Sequence, residues 1–190
     1  MKIKLLFFMV MTWALVSCAE TPQQVVVAPP LSTDNMINGQ GQSIALTVTD
    51  EREDPVLGSR GGVYAETSVI TLERNFEQKL QKQLTAKLTQ HNFTIDPMSL
   101  ETTWNVKLQE LTYQVVKVDQ LKDNIVIKGK LGFEINKANK TFTKSYGASR
   151  MQAVFSKPSD QKNSELINRV LADMIDAMLA DQDVAGFLNQ

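Results

Sequence analysis

Few side chains in this chain could do chemistry, and they stand far apart. Its 190 residues include one Cys and one His, Cys18 and His91; with Cys18 expected to carry lipid and His91 standing alone, the sequence offers no Cys/His dyad, Ser/His/Asp triad or Cys/His zinc cluster. Asp50, Arg52 and Asp54 are the most suggestive charges. An acid, base, acid triplet at a strand end makes either a polar site or, more simply, an ion-paired turn that fixes the loop after it. That loop holds Gly58-Ser59-Arg60-Gly61-Gly62, which lacks the Lys of a phosphate-binding loop and does not open a helix as a dinucleotide fingerprint does. Ser159-Asp160-Gln161-Lys162 has the Ser-x-x-Lys spacing of penicillin-recognising enzymes, but the companion Lys-Thr-Gly is missing, so it reads as a polar loop before a helix. Asp173 and Asp176 read as a solvated helix face rather than an acid/base pair, and His91 as a helix-end partner of the dipole. These residues predict a protein that is not an enzyme and holds no metal or cofactor.

Cys18 has a different chemistry. Lys2 and Lys4 precede an apolar run from Leu5 to Val16, a charged region followed by a hydrophobic one, as in an export signal. Twelve helical residues reach about 18 Å, short of a hydrocarbon core of roughly 30 Å. Leu15-Val16-Ser17-Cys18 resembles the bacterial lipobox, which implies cleavage before Cys18 and acylation of that residue. Two or three acyl chains anchor a protein stably where one does not. Ala19 stands where an inner-membrane retention signal places Asp, so the resemblance implies the outer membrane of a Gram-negative envelope, facing the periplasm. The composition, 43% apolar and 22% charged with a net charge of −1, suits one globular domain and carries no basic surplus for nucleic acid. With Cys18 acylated, no disulfide is available, and the fold must rely on its core.

The elements that position these residues follow from periodicity. Residues 1–17 form the signal peptide, 18–41 the lipidated Cys and a Pro- and Gln-bearing tether, and 42–190 a single domain. Within the tether Val25-Val26-Val27 is strand-prone. Ser43 to Asp50 alternates as a strand with one wet face, and Ser68 to Leu72 is a short strand. A helix over Glu73–Gln90 shows a stripe of Leu72, Phe76, Leu80, Leu84 and Leu88, ending near Asn92, which suits a left-handed position. Thr103 to Val118 is a strand whose apolar parity changes at Glu110-Leu111, as a β-bulge requires. Ile125 to Ile135 and Thr141 to Phe155 complete an antiparallel meander. A last amphipathic helix runs from Asn163 or Ser164 to about Ala180, with Leu171 and Ile175 on its buried stripe. The expected fold is α+β: an antiparallel sheet of about four strands with two helices packed on one face. Lys107, Lys128 and Lys130 fall on the opposite, wet face, and that face or the free edge of the sheet reads as a docking surface for an envelope protein partner.

The lipobox, the Asp50-x-Arg52-x-Asp54 segment, Ser145-Tyr146 to Phe155, and the tail Val170-Leu171-x-Asp173-x-Ile175-x-x-Met178-x-x-Asp181 ending at Phe187 together resemble the YajG family of uncharacterised bacterial lipoproteins. The resemblance covers nearly the whole chain and supports membrane anchoring through the lipid at Cys18. It supplies no catalytic residues. The expected role is a lipid-anchored, non-enzymatic binding or scaffold module for a protein partner, with a binder of cell-wall or lipid ligands as the alternative.

Overall fold

In the computed structural model, residues 21–32, 34–61 and 65–189 are described. The strands are β1 (Gln23–Val25), β2 (Ser43–Asp50), β3 (Val56–Ser59), β4 (Val69–Leu72), β5 (Thr94–Ile95), β6 (Thr102–Lys117), β7 (Asp123–Lys137) and β8 (Lys140–Val154). The helices are α1 (Phe76–Gln90), α2 (Asp160–Leu179) and α3 (Gln182–Leu188). The chain is α+β, but its sheet corrects the expectation of a four-stranded antiparallel one with two helices. The described residues form a mixed sheet of eight strands in the order β1-β4-β3-β6-β2-β5, with β7 on β6 and β8 beyond β7. Four of its seven pairings are parallel, namely β1 with β4, β2 with β5, and β6 with both β2 and β3. Parallel pairing leaves no turn signal in the sequence, and β1, β3 and β5 are too short to show an alternation.

Strand β6 organises the sheet because it is long enough to take two partners along one edge. β2 pairs with Thr103–Leu108, the chain leaves through Asp50 to Pro55, and β3 rejoins the same edge where Gly58 meets Tyr113. On the other edge β7 runs antiparallel to β6 over its whole length, with a register shift between Leu108 and Glu110. That shift is the bulge the parity change predicts, and it keeps Trp104, Val106 and Leu108 on the same buried side as Leu111 and Tyr113. The β7–β8 connection is a tight turn in which Ala138 and Asn139 both take positive φ, 48° and 62°, the conformation of a two-residue hairpin.

One face of the sheet carries the helices. Phe76, Leu80, Leu84 and Leu88 of α1 are buried, and Gln81 Nε2 donates to the Leu46 carbonyl oxygen of β2 at 2.8 Å. Helix α2 crosses β7 and β8 over Gly129, where an added Cβ would lie 2.7 Å from Met174 Cε. Its N-cap is Ser159, whose side chain accepts from Lys162 N–H, so the helix starts earlier than its apolar stripe suggests. A row of neighbouring rings, Phe93, Trp104, Phe133, Phe142 and Phe187, with centroids 5.3–6.3 Å apart, ties the sheet to α3.

The described part of the segment expected as a tether lies against the domain. Val25, Val27 and Ile37 are buried. Asn168 of α2 accepts from Ala28 N–H at 2.8 Å and donates to the Val26 carbonyl at 2.9 Å, and Ile37 N–H donates to the Leu179 carbonyl. Beyond β1, bonds to side chains and to the Leu179 carbonyl satisfy this backbone outside any ladder, which explains why a Pro-containing stretch with no periodicity still packs. Residues 1–17, expected as a signal peptide, and Cys18 lie outside the described residues.

Candidate functional site

The Asp50, Arg52, Asp54 triplet sits where β2 leaves the edge of β6. Arg52 binds Asp50 through two bonds, Nε to Oδ1 and Nη2 to Oδ2, both 2.8 Å. Its side chain is 5% exposed and its guanidinium lies 5.6 Å from the Phe76 ring centroid. Glu77 closes the corner by accepting from Asp50 N–H at 2.8 Å. Asp54 is not drawn in: its Oδ1 accepts from Val56 N–H and fixes the turn. Asp50 and Arg52 therefore form a pinned corner with Phe76 and Glu77 of α1, and Asp54 stands outside it. The donors of Arg52 and the acceptor sites of Asp50 are used by one another, which leaves little for a substrate to engage.

On the face away from the helices, Lys107 is half-buried between Glu134 and Glu51, at 3.3 and 3.4 Å. The Asn136 amide and Lys107 hold the Glu134 carboxyl below the ordinary range. Lys128 and Lys130 stand exposed on β7 opposite Ser149 and Gly147 of β8. The lysines share a face as expected, but Lys107 is neutralised, so the free positive charge lies toward β8.

Strand β8 supplies the free edge that the sequence left unassigned to a strand. Among the described residues it pairs only with β7, through an unbroken register of Lys140 to Val154. From Thr141 to Ser149 its open-face positions Thr141, Thr143, Ser145, Gly147 and Ser149 are exposed, small and uncharged, and Met151 beyond them is a large apolar side chain, also exposed. Its charged side chains point to the helix layer, where Arg150 binds Asp173 at 2.6 and 2.7 Å and Lys144 binds Asp181 and Asp183 at 2.6 and 2.7 Å. Long regular edges normally carry charges, prolines or bulges that discourage pairing; the open side of this one does not. The alternation of small residues was the available signal.

A second feature lies at the end of the sheet where β6 meets β7. An open cavity of about 550 Å³ separates the β6–β7 turn from residues 155–158, with Val115, Val154, Leu121 and Phe155 as its apolar wall and Arg60, Lys117, Lys122 and Lys157 as its cations. Arg60 Nη1 binds Asp160 at 2.6 Å and its Nη2 donates to the Thr21 carbonyl oxygen. Beneath it runs a polar chain: Tyr113 Oη donates to Asn163 Oδ1 at 2.9 Å, Asn163 Nδ2 to Gln23 Oε1 at 3.0 Å, and Gln23 Nε2 to the Asp160 carbonyl at 2.7 Å. Burial pushes the Tyr113 phenol up to about 12, against the opposing effect of Arg60, so it remains a hydrogen-bond donor at neutral pH.

The other charged groups have structural partners. Asp176 accepts from Ser32 N–H at 3.0 Å, and burial raises its carboxyl. At the end of α1 His91 N–H donates to the Leu88 carbonyl and Asn92 N–H to the Thr89 carbonyl, and Asn92 takes the expected left-handed φ of 63°. Among the described residues no three His, Cys, Asp or Glu side chains gather as a metal site, and no helix is long and apolar enough to cross a membrane.

The family described as "Uncharacterized lipoprotein" matches residues 29–189. The uncharacterized lipoprotein YajG of Escherichia coli strain K12 is 25% identical over 195 residues, covering 98% of this chain and 97% of that one. The same protein from Escherichia coli O6:H1 matches with the same identity of 25%. Among solved structures, protein XCC0632 from Xanthomonas campestris superposes with a TM-score of 0.57 at 8% identity, over 89% of this chain and 98% of that chain. That likeness is one of fold.

Proposed function

Because the chain belongs to this family of uncharacterized lipoproteins, we propose that it is anchored by lipid on Cys18 after loss of residues 1–17, sits on the periplasmic face of the outer membrane, and acts without catalysis as a binding module. Its docking surface is the free edge of β8 with the adjoining Lys128 and Lys130. The observation that carries this reading is the 15-residue edge itself: regular, unpaired on one side among the described residues, and lined from Thr141 to Ser149 by small uncharged side chains. An added strand would bond through main-chain groups alone, and the two lysines favour an acidic segment. Lys107, held by two glutamates, contributes shape more than charge.

Two experiments test the two halves. Cys18→Ser should abolish labelling by radioactive palmitate and leave a precursor carrying residues 1–17; a labelled mutant protein would sink the anchoring. A photo-crosslinking residue at Ser145 or Ser149 should capture a discrete partner in intact cells, and the Lys128→Glu, Lys130→Glu variant should lose it. If the same species forms in the same yield from that variant and from a crosslinker at Thr47, the edge is not the docking surface.

A further inference from the structure

We infer that the end of the domain bearing the β6–β7 turn rests on an anionic lipid surface, with Leu121 and Phe155 entering the headgroup layer. The inference builds on the anchoring reading above, and adds which side of the molecule faces the bilayer. Strand directions bring the start of β1, the end of β3, the end of β6, the start of β7 and the end of β8 to this one end. Thr21 is fastened there by Arg60. Cys18 is three residues earlier, so its Cα lies within about 10 Å of that of Thr21. Acyl chains on Cys18 would therefore begin beside the turn, not at the end of a long free tether.

The surface at this end has the composition such a position needs. Leu121 and Phe155, which line the same cavity, are 79% and 80% exposed, and Val118 of the turn and Met151 of β8 are 51% and 68% exposed, so no described residue covers these side chains. Lys117, Lys122 and Lys157 stand around it with Asp123, while Asp160 occupies Arg60. Asp119 is engaged in the turn, accepting from Leu121 and Lys122 N–H at 2.8 Å. Apolar tips within a ring of lysines suit an interface of acyl chains below and phosphates above. The opposite end offers a contrast. Leu100 and Met98 are as exposed there, 95% and 82%, but Asp96 and Glu101 flank them, and the bilayer anchor cannot reach.

The contrast supplies the test. With Cys18 acylated the mature chain has no free thiol, so Leu121→Cys, Phe155→Cys and Leu100→Cys each introduce a single labelling site on an exposed position. The full lipoprotein, labelled with an environment-sensitive fluorophore, is reconstituted into phosphatidylethanolamine–phosphatidylglycerol vesicles containing headgroup-nitroxide lipid and floated on a gradient. Quenching at positions 121 and 155 should exceed that at 100 by about twofold or more, and should weaken without phosphatidylglycerol or in the Lys117→Glu, Lys122→Glu background. Floated protein quenched equally at the three positions overturns the inference and leaves the anchoring intact. A fluorophore at 121 that is shielded but not quenched also overturns it, since a second copy or a protein then covers the turn. Protein that fails to float overturns the anchoring and the orientation together.

Discussion

Asn163→Ala tests whether the buried polar chain under the Arg60 corner holds β1 to the sheet. Asn163 is fully buried, accepts from Tyr113 Oη at 2.9 Å and donates to Gln23 Oε1 at 3.0 Å. Truncation to Ala leaves one donor and one acceptor without partners. A buried group left unsatisfied costs about 1–3 kcal/mol, so the expected loss is about 3 kcal/mol, allowing partial relief by a water entering the space. Tyr113→Phe orphans only Asn163 Oδ1 and should cost about 1–2 kcal/mol. Combined, the two should cost less than their sum by about 1 kcal/mol, because the second removes a group already unpaired. The assay is urea unfolding followed by the fluorescence of Trp104, which is fully buried; Trp13 belongs to the segment expected to be cleaved. With a slope of about 2 kcal/mol per molar urea, the Asn163→Ala midpoint should fall by about 1.5 M. A shift below about 0.3 M, or strict additivity of the two substitutions, would refute the claim that these buried bonds form and hold β1 to the sheet.

Leu171→Ala, at a side chain 1% exposed under the sheet, should cost about 2–5 kcal/mol in the same urea assay; an unchanged midpoint would place α2 differently on β7 and β8. Gly58→Ala should cost about 3 kcal/mol, because at φ 154° its Cβ would fall 1.8 Å from the Tyr113 carbonyl oxygen where β3 meets β6, and wild-type stability of this variant would contradict that contact. Burial pushes the Asp181 carboxyl up, but bonds from Lys144, Tyr146 and the Asp183 N–H outweigh it and hold it below the usual range. A depressed carboxyl contributes stability above its unfolded value near 4 that is lost as pH falls through the lower folded value. Asp181→Asn should therefore be less stable than wild type at neutral pH and lose less on acidification below about pH 4, as urea titrations at several pH values would reveal. Parallel curves would remove Asp181 from the acid response.

The sequence by itself determined the elements that bury one regular face. β2, β7 and α1 follow from alternation or a four-residue stripe. The bulge in β6 was legible because a sheet buried on one side turns a parity change into an extra residue. The lipobox resemblance and the family likewise rest on local order and spacing. What the tertiary structure decided is which strands meet. β2 and β3 share one edge of β6 because both run parallel to it, and nothing local in the chain encodes a parallel neighbour more than fifty residues away. The segment around Val25 and Ile37 packs through side-chain bonds from α2, whose partners lie about 140 residues on. Asp50, Arg52 and Asp54 could be picked out as charges, but only the tertiary structure sets Phe76 and Glu77 of α1 against Arg52 and Asp50 and leaves Asp54 in the turn. The free edge of β8 and the meeting of Thr21 with the β6–β7 turn depend on strand order and direction. Neither is a property of any short stretch of sequence, because a pairing edge and a shared end exist only after the sheet has formed.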